Sequence, residues 1–270
     1  MTTTPAILYP RLLLTGAAGA LGRMLRPRLK AHCQTLRVSD ISELEAAKTG
    51  EEVMPALALQ DAQAVDKLLD GVDGVVHLGG VSIERPFDEI LPANIVGMYN
   101  LYEAARKNGT RRIVFASSNH VTGFYKQSET VSPTMPVRPD GYYGLSKAFG
   151  ENIARFYFDR YGIETVCLRI GSSIPEPKDR RMLATWLSYD DLERLVLASL
   201  SAPVVGFSVI YGMSDNLAVW WDNASAKHLG YQPKDTSAVF KNAIESRQLS
   251  LDLNDPAVIY QGGGFVKNAP

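Results

Sequence analysis

The sequence predicts an α/β protein, a doubly wound parallel sheet with helices on both faces and a small C-terminal substrate cap. Three observations predict it. Short runs rich in Val, Ile and Leu alternate with amphipathic stretches through most of the chain. A glycine-rich turn, Thr15-Gly16-Ala17-Ala18-Gly19-Ala20-Leu21-Gly22, joins the first apolar run to the first amphipathic one. With 270 residues, 46% hydrophobic and 21% charged, the chain suffices for one large domain with a full core.

Strands are predicted over residues 11–15 (RLLLT), 36–39, 74–78 (GVVHL), 112–117 (RIVFAS) and 164–170 (ETVCLRI), each short enough and apolar enough to be buried on both faces. Helices fill the intervals at residues 20–31, 61–70, 94–108 and 143–161, and Gly109 and Gly162 stop the last two. After Ile170 comes a loop rich in Ser and Pro (GSSIPEPKD), a helix over residues 189–201, an apolar strand over 204–210 and an irregular tail. This portion, residues 171–270, is too irregular for a second nucleotide-binding unit. It is expected to cap the C-terminal edge of the sheet within a single domain spanning 1–270, because open α/β folds place their ligands at that edge. There is no internal repeat or low-complexity stretch, and the final QGGGFVKNAP receives no element.

A formal net charge of -1 leaves no electrostatic surplus for nucleic acid or an anionic membrane, so neither is expected as a partner. Cys33 and Cys167 form no C-x-x-C and are read as reduced, buried thiols, with no metal site. The start, MTTTPAILYP, lacks a basic stretch followed by a long apolar one, and no run reaches the roughly 18 apolar residues of a membrane span. A cytoplasmic protein is the expectation.

The chemistry lies in two motifs. In the G-x-x-G-x-x-G turn, Gly16 allows the sharp bend, Gly19 lets backbone approach a phosphate, and Gly22 lets the helix pack close to the strand. The N–H groups at the helix start, with Ala20 and Leu21, can then hold a dinucleotide pyrophosphate. Asp40, at the end of the second strand, can accept both ribose hydroxyls and would repel a 2′-phosphate, which favours NAD over NADP; the alternative is that it merely caps the following turn. The second motif is Tyr143 and Lys147, at i and i+4 on a predicted helix and so on one face. A positive lysine and a positive nicotinamide are expected to lower the phenol pKa until Tyr143 serves as a general base. Tyr142 has no lysine at that spacing. Ser118, at an earlier strand end, can donate to a developing carbonyl oxygen. Each motif alone is common in proteins that do no such chemistry.

Together, TGAAGALG, Asp40, HLGGV, NIVGMYNLYEAARK, FASSNHV and YYGLSKAFGE resemble the extended branch of the short-chain dehydrogenase/reductase family over most of the first 175 or so residues. The resemblance implies a Rossmann fold, a nicotinamide cofactor, and a catalytic set of Ser118, Tyr143 and Lys147. It extends NAD binding to Ile41, Leu59, Leu78 and Gly79, and brings Gly80 and Val81 near the nicotinamide. Longer segments, FASSNHVTGFY, RPDGYYGLSK, RIGSS and RMLATWLSYDD, are similar to the bacterial uronate dehydrogenases. That likeness implies a small uronic acid (D-galacturonate or D-glucuronate) oxidised at C1 to an aldarolactone, and a homo-oligomer of unspecified size. It implies substrate contacts from Ser82, Ser118, Asn119, His120, Tyr143 and Ser172, with Arg181 pairing bidentately with the carboxylate. Arg180 is its rival by position. Asn94 is expected to stabilise its helix, with the ordering of water near Lys147 as a second role, while His32, His77 and His228 have no functional context. One departure stands out. Where the extended branch usually shows Asp-Leu after the third strand, with the carboxylate on the adenine amine, this chain has Ala58-Leu59 and then Asp61, so NAD is expected to bind more weakly or with a different anchor. A nucleotide-sugar epimerase or dehydratase and a non-catalytic NAD sensor remain as alternatives.

Overall fold

A computed structural model describes residues 6–247 and 250–268. Met1 to Pro5, on which part of the N-terminal reading rests, and the last two residues of the tail lie outside the described residues.

Seven parallel strands form one sheet in the order β3-β2-β1-β4-β5-β6-β7. These are β1 (Tyr9–Thr15), β2 (Cys33–Ser39), β3 (Glu51–Val53), β4 (Gly74–His77), β5 (Arg112–Ser118), β6 (Glu164–Ile170) and β7 (Phe207–Gly212). Alternation along each strand divides the core. Leu12 and Leu14 of β1, with Val76, Val114 and Val166, face helices α1 (Ala20–Lys30) and α7 (Tyr189–Ser201). Leu13, Val75, Ile113 and Cys167 face the other side, where α2 (Ala62–Leu68), α4 (Gly97–Asn108) and α5 (Tyr142–Tyr161) pack. Burial of both faces is why the strands read as unbroken apolar runs. Each fully buried Leu or Val contributes about 1.5–3 kcal/mol.

The doubly wound sheet agrees with the sequence, and Gly109 and Gly162 do end α4 and α5 in the left-handed conformation, at φ 75° and 71°. Four details differ. The short strand β3 is half-buried and carries Glu51 and Glu52, which pair with Arg26 and Arg37, so no apolar run announces it. Strand β2 starts three residues earlier than expected, its exposed Gln34 masking the pattern. The strand expected over 204–210 forms only from Phe207 and is a seventh strand of the main sheet, paired to β6, so the residues after Ile170 do more than cap. The helix expected from Asn94 is preceded by α3 (Phe87–Ile90) and a π-helical turn over Leu91–Val96 that contains Asn94. Three short helices, α6 (Met182–Thr185), α8 (Lys241–Arg247) and α9 (Pro256–Ile259), lie beyond β6 among the described residues. No helix among the described residues is long and apolar enough to cross a membrane.

The register brings the strand ends together: Thr15 lies beside Ser39 and His77, His77 beside Phe115, and Ser118 beside Ile170. Strand order reverses between β1 and β4, and the loops that follow them part there into a crevice.

Candidate active site

The crevice is lined first by the glycine turn. Gly16 has φ 70°, and a Cβ on it would lie 2.7 Å from the Leu78 carbonyl carbon, so the turn after β1 presses on the turn after β4. A Cβ on Gly22 would fall 2.1 Å from the Gly16 oxygen, which is why helix α1 packs so closely to the strand. Gly19 is looser, at 3.3 Å from the Gly16 oxygen, and lines the cavity. It is also the N-cap of α1; no side chain caps it and the first turn holds no acid. The helix therefore presents uncapped N–H groups and its positive end to the cavity, an arrangement that fits a pyrophosphate. Asp40 Oδ2 accepts from the Ala18 N–H at 2.8 Å and Oδ1 from the Ser42 N–H at 3.0 Å. Its carboxylate thus braces the glycine turn and caps its own turn while also lining the cavity.

That cavity has a volume of about 850 Å³, and every residue proposed from the sequence for cofactor or substrate lies in its wall. Gly16, Ala20, Leu21, Gly22, Asp40, Ile41, Leu59, Leu78 and Gly79 occupy one end, with Gln60 and Leu57 beside them. Ser82, Ser118, Asn119, His120, Tyr143, Lys147, Ser172 and Arg181 occupy the other. Ala58 is absent from the wall, and Asp61 instead caps α2 through the Gln63 and Ala64 N–H groups, so it does not replace the missing adenine carboxylate.

At the second end, Ser118 closes β5 and Tyr143 lies in the first turn of α5, with Lys147 one turn on. Lys147 Nζ donates to the Ala116 carbonyl at 2.8 Å and lies 5.7 Å from the Tyr143 ring centre. Burial brings Lys147 down to about 8. The tyrosine departs from expectation. Burial pushes Tyr143 up to about 12, against the opposing pull of the Ser118 hydroxyl, and the Asp140 charge adds to the rise. Lys147 is not among the groups that shift this phenol, so desolvation sets the direction.

Arg181 is partly buried. Its Nε donates to the Gln261 carbonyl at 2.6 Å and its Nη1 reaches Ser172 Oγ at 3.4 Å. With the Asn119 amide turned so that Nδ2 donates to the Ile170 carbonyl at 3.1 Å, Oδ1 accepts from Arg181 Nη2 at 2.9 Å. Every one of those partners is neutral, and among the described residues no carboxylate lies within salt-bridge distance of this guanidinium. Desolvation lowers its pKa, but an arginine stays charged. Arg180, its rival, lines a separate cavity with Leu217, Lys241 and Glu245.

His120 is fixed by a residue the sequence did not single out. Its Nδ1–H donates to the buried Asp140 Oδ2 at 2.6 Å, leaving Nε2 as the ring nitrogen not committed to Asp140. The other face of the site comes from the tail. Phe265 stacks on His120 with ring centres 3.9 Å apart and stands 6.2 Å from Tyr143, while Gly262 and Gly264 line the cavity. Gln261 anchors this segment, donating to the Lys126 and Glu129 carbonyls and accepting from Trp221 Nε1. The Gly262-Gly263-Gly264 run was the one signal available, since such a run permits close backbone approach. His77 is a core residue, its Nδ1 2.7 Å from Thr15 Oγ1, and burial drives it down to about 3.

A family model described as NAD dependent epimerase/dehydratase matches residues 12–191, which hold the glycine turn, Asp40, Ser118, Tyr143, Lys147 and Arg181. The chain belongs to this family. Within it, a curated uronate dehydrogenase of Pseudomonas syringae pv. tomato is 55% identical over 269 residues, covering 100% of this chain and 96% of that protein. A crystal structure of a glucuronic acid dehydrogenase from Chromohalobacter salexigens superimposes with a TM-score of 0.94 at 51% identity, over 96% of this chain and 97% of the other. A mutant uronate dehydrogenase from Agrobacterium tumefaciens, complexed with NAD, also gives 0.94 at 51% identity, over 97% and 98%. The family and the cavity therefore agree on a nicotinamide dinucleotide.

Proposed function

We propose that the chain is an NAD-dependent uronate dehydrogenase. It takes the cyclic hemiacetal of D-galacturonate or D-glucuronate, removes the C1 hydride and the anomeric hydroxyl proton, and releases the aldarolactone with NADH and H⁺. The observation that carries the reading is Arg181, a partly buried cation whose hydrogen-bond partners are all neutral and which lines the same cavity as Ser118, Tyr143 and Lys147. Asp179 and Asp140 act on this guanidinium through their charge without pairing with it, and a carboxylate-bearing sugar supplies an anion that can pair directly. Names of full-length relatives at more than half identity support the same substrate class.

Bound in the cavity, NAD⁺ supplies the acceptor for the hydride. The chain holds it through the α1 N-terminus, Gly16, Gly19 and Gly22, with Asp40 at the ribose, Ile41 and Leu59 at the adenosine end, and Leu78 and Gly79 where β4 ends. Tyr143 receives the anomeric hydroxyl proton. With its pKa near 12 in the bare site, it needs the added positive charge of the nicotinamide to work near neutral pH. Ser118 and Asn119 hold the reacting oxygen, and Lys147, anchored on the Ala116 carbonyl, keeps its other N–H donors for the ribose. Ser82, His120 and Ser172 take ring hydroxyls.

The test is NADH formation by purified protein with NAD⁺ and galacturonate or glucuronate, with galactose and glucose in parallel. Steady NADH from the acids, with far less from the neutral sugars, is expected. No NADH from any of them would overturn the assignment and favour a nucleotide-sugar enzyme that recycles its cofactor internally.

A further inference from the structure

Glu84 lies in the loop after β4, between Ser82 and α3, well away in sequence from helix α5. Its Oε1 accepts from the Tyr142 N–H and its Oε2 from the Tyr143 N–H, both at 2.9 Å. Helix α5 begins at Gly141, which has an extended backbone (φ -176°) and no side chain to cap the helix. Glu84 fills that role from across the crevice; the three atoms nearest to a Cβ built on Gly141 all belong to Glu84, the first at 2.3 Å.

The same loop grips Tyr143 from its other side. The Tyr143 carbonyl accepts from Ser146 Oγ at 2.7 Å, and that oxygen accepts from Asn94 Nδ2 at 2.9 Å. Asn94 in turn binds both backbone groups of Val81, accepting from its N–H at 2.8 Å and donating to its carbonyl at 2.9 Å. Both main-chain polar groups of Tyr143 are therefore tied to one loop, Gly80 to Glu84, directly at the N–H and through Asn94 and Ser146 at the carbonyl. That loop is exposed at Ser82 and Ile83, and it has few other anchors.

We propose that Glu84 is a positioning residue: it locks the loop carrying Val81 and Ser82 to the catalytic helix, so that the two walls of the site hold one spacing around the substrate. The identification of a reaction to be positioned rests on the dehydrogenase reading above. A carboxylate that only capped α5 would be replaceable by any local N-cap; a clamp would not.

The experiment separates these. Glu84→Ala removes cap and clamp together, and kcat for uronate oxidation is expected to fall roughly 10–100-fold, the scale of a displacement of about 1 Å at a reacting group. Loss of the cap should lower Tm by roughly 2–4 °C. Adding Gly141→Ser to Glu84→Ala supplies a local cap in the space that Glu84 vacates. The double variant should regain Tm while kcat stays low, and residues 80–86 should exchange amide hydrogens faster than in the unsubstituted protein. Recovery of kcat together with Tm would overturn the proposal, as would Glu84→Ala with unchanged kcat. If the unsubstituted protein makes no NADH from uronates, the functional reading fails by itself. Hydrogen exchange over residues 80–86 in both variants then decides the clamp, and unchanged exchange overturns it.

Discussion

Arg181→Ala tests the substrate assignment most sharply. The guanidinium holds the Gln261 carbonyl at 2.6 Å and Asn119 Oδ1 at 2.9 Å, and it is partly buried in the cavity wall, so a carboxylate bound to it is partly shielded from water. Truncating one partner of such a pair costs about 2–5 kcal/mol, which is roughly 30- to 5000-fold in kcat/KM for a uronate. Two controls are built into the geometry. A neutral sugar has no carboxylate to lose, so kcat/KM for galactose should change little and the ratio of galacturonate to galactose should collapse. The Gln261 carbonyl also loses its donor, a cost of about 1–3 kcal/mol in stability, so Tm should fall by several degrees and rates are compared well below it. Arg181→Lys keeps charge without the planar fork and should lose roughly 5–30-fold, about 1–2 kcal/mol. Initial NADH rates on both sugars measure all of this. A galacturonate-to-galactose ratio that survives Arg181→Ala would refute the carboxylate clamp, whatever happens to the absolute rates.

Tyr143→Phe should lower kcat about 10²–10⁴-fold with NAD⁺ affinity retained in a fluorescence titration, since only the proton acceptor is lost; near-normal turnover would contradict the mechanism. Gly22→Ala places a Cβ 2.1 Å from the Gly16 oxygen and should cost about 1–3 kcal/mol of stability along with NAD⁺ affinity, whereas Gly19→Ala should weaken NAD⁺ binding with Tm nearly unchanged. Calorimetry and titration on the two variants separate packing from phosphate contact. Lys147 is held at about 8, below its ordinary 10.5, so between those values the unfolded chain binds more protons than the folded one. The stability from the neutral amine is thus fully present above 10.5 and is lost as pH falls through 8, on the order of 3 kcal/mol at most. Tm measured from about pH 8 to pH 10 should rise less steeply in Lys147→Met; an unchanged slope would mean Lys147 is not desolvated.

The sheet was legible because its physics is local. The middles of β1, β4 and β5, residues 12–14, 75–76 and 113–116, are buried on both faces and are apolar, and the turn after β1 needs glycines whatever it binds. The adjacency of Tyr143 and Lys147 was legible for the same reason, since i and i+4 on α5 places them on one face. What escaped depends on contacts made across the chain. Strand β3 is held by Glu51 and Glu52 on arginines of α1 and β2, and charges carry no strand periodicity. The rise in the Tyr143 pKa is a burial effect, invisible in a motif that only shows a neighbouring lysine.

The substrate end of the site shows why such contacts are unreadable one segment at a time. Asp140 Oδ2 receives His120 Nδ1–H, and it would lie 1.9 Å from a Cβ on Gly123 and 1.9 Å from one on Gly262. Two glycines from distant parts of the chain are thus required by one carboxylate, and no local pattern connects them. Their convergence brings residues 262–265 over His120, with Gly263 at φ 63° against the Arg181 side chain and Phe265 stacked on the imidazole. Arg181, the His120 imidazole and the tail therefore form one packed unit beside Asp140. A larger residue at Gly123 or Gly262 has to displace that carboxylate and with it the His120 ring, so the shape of this end of the cavity depends on these glycines as well as on the polar residues that line it.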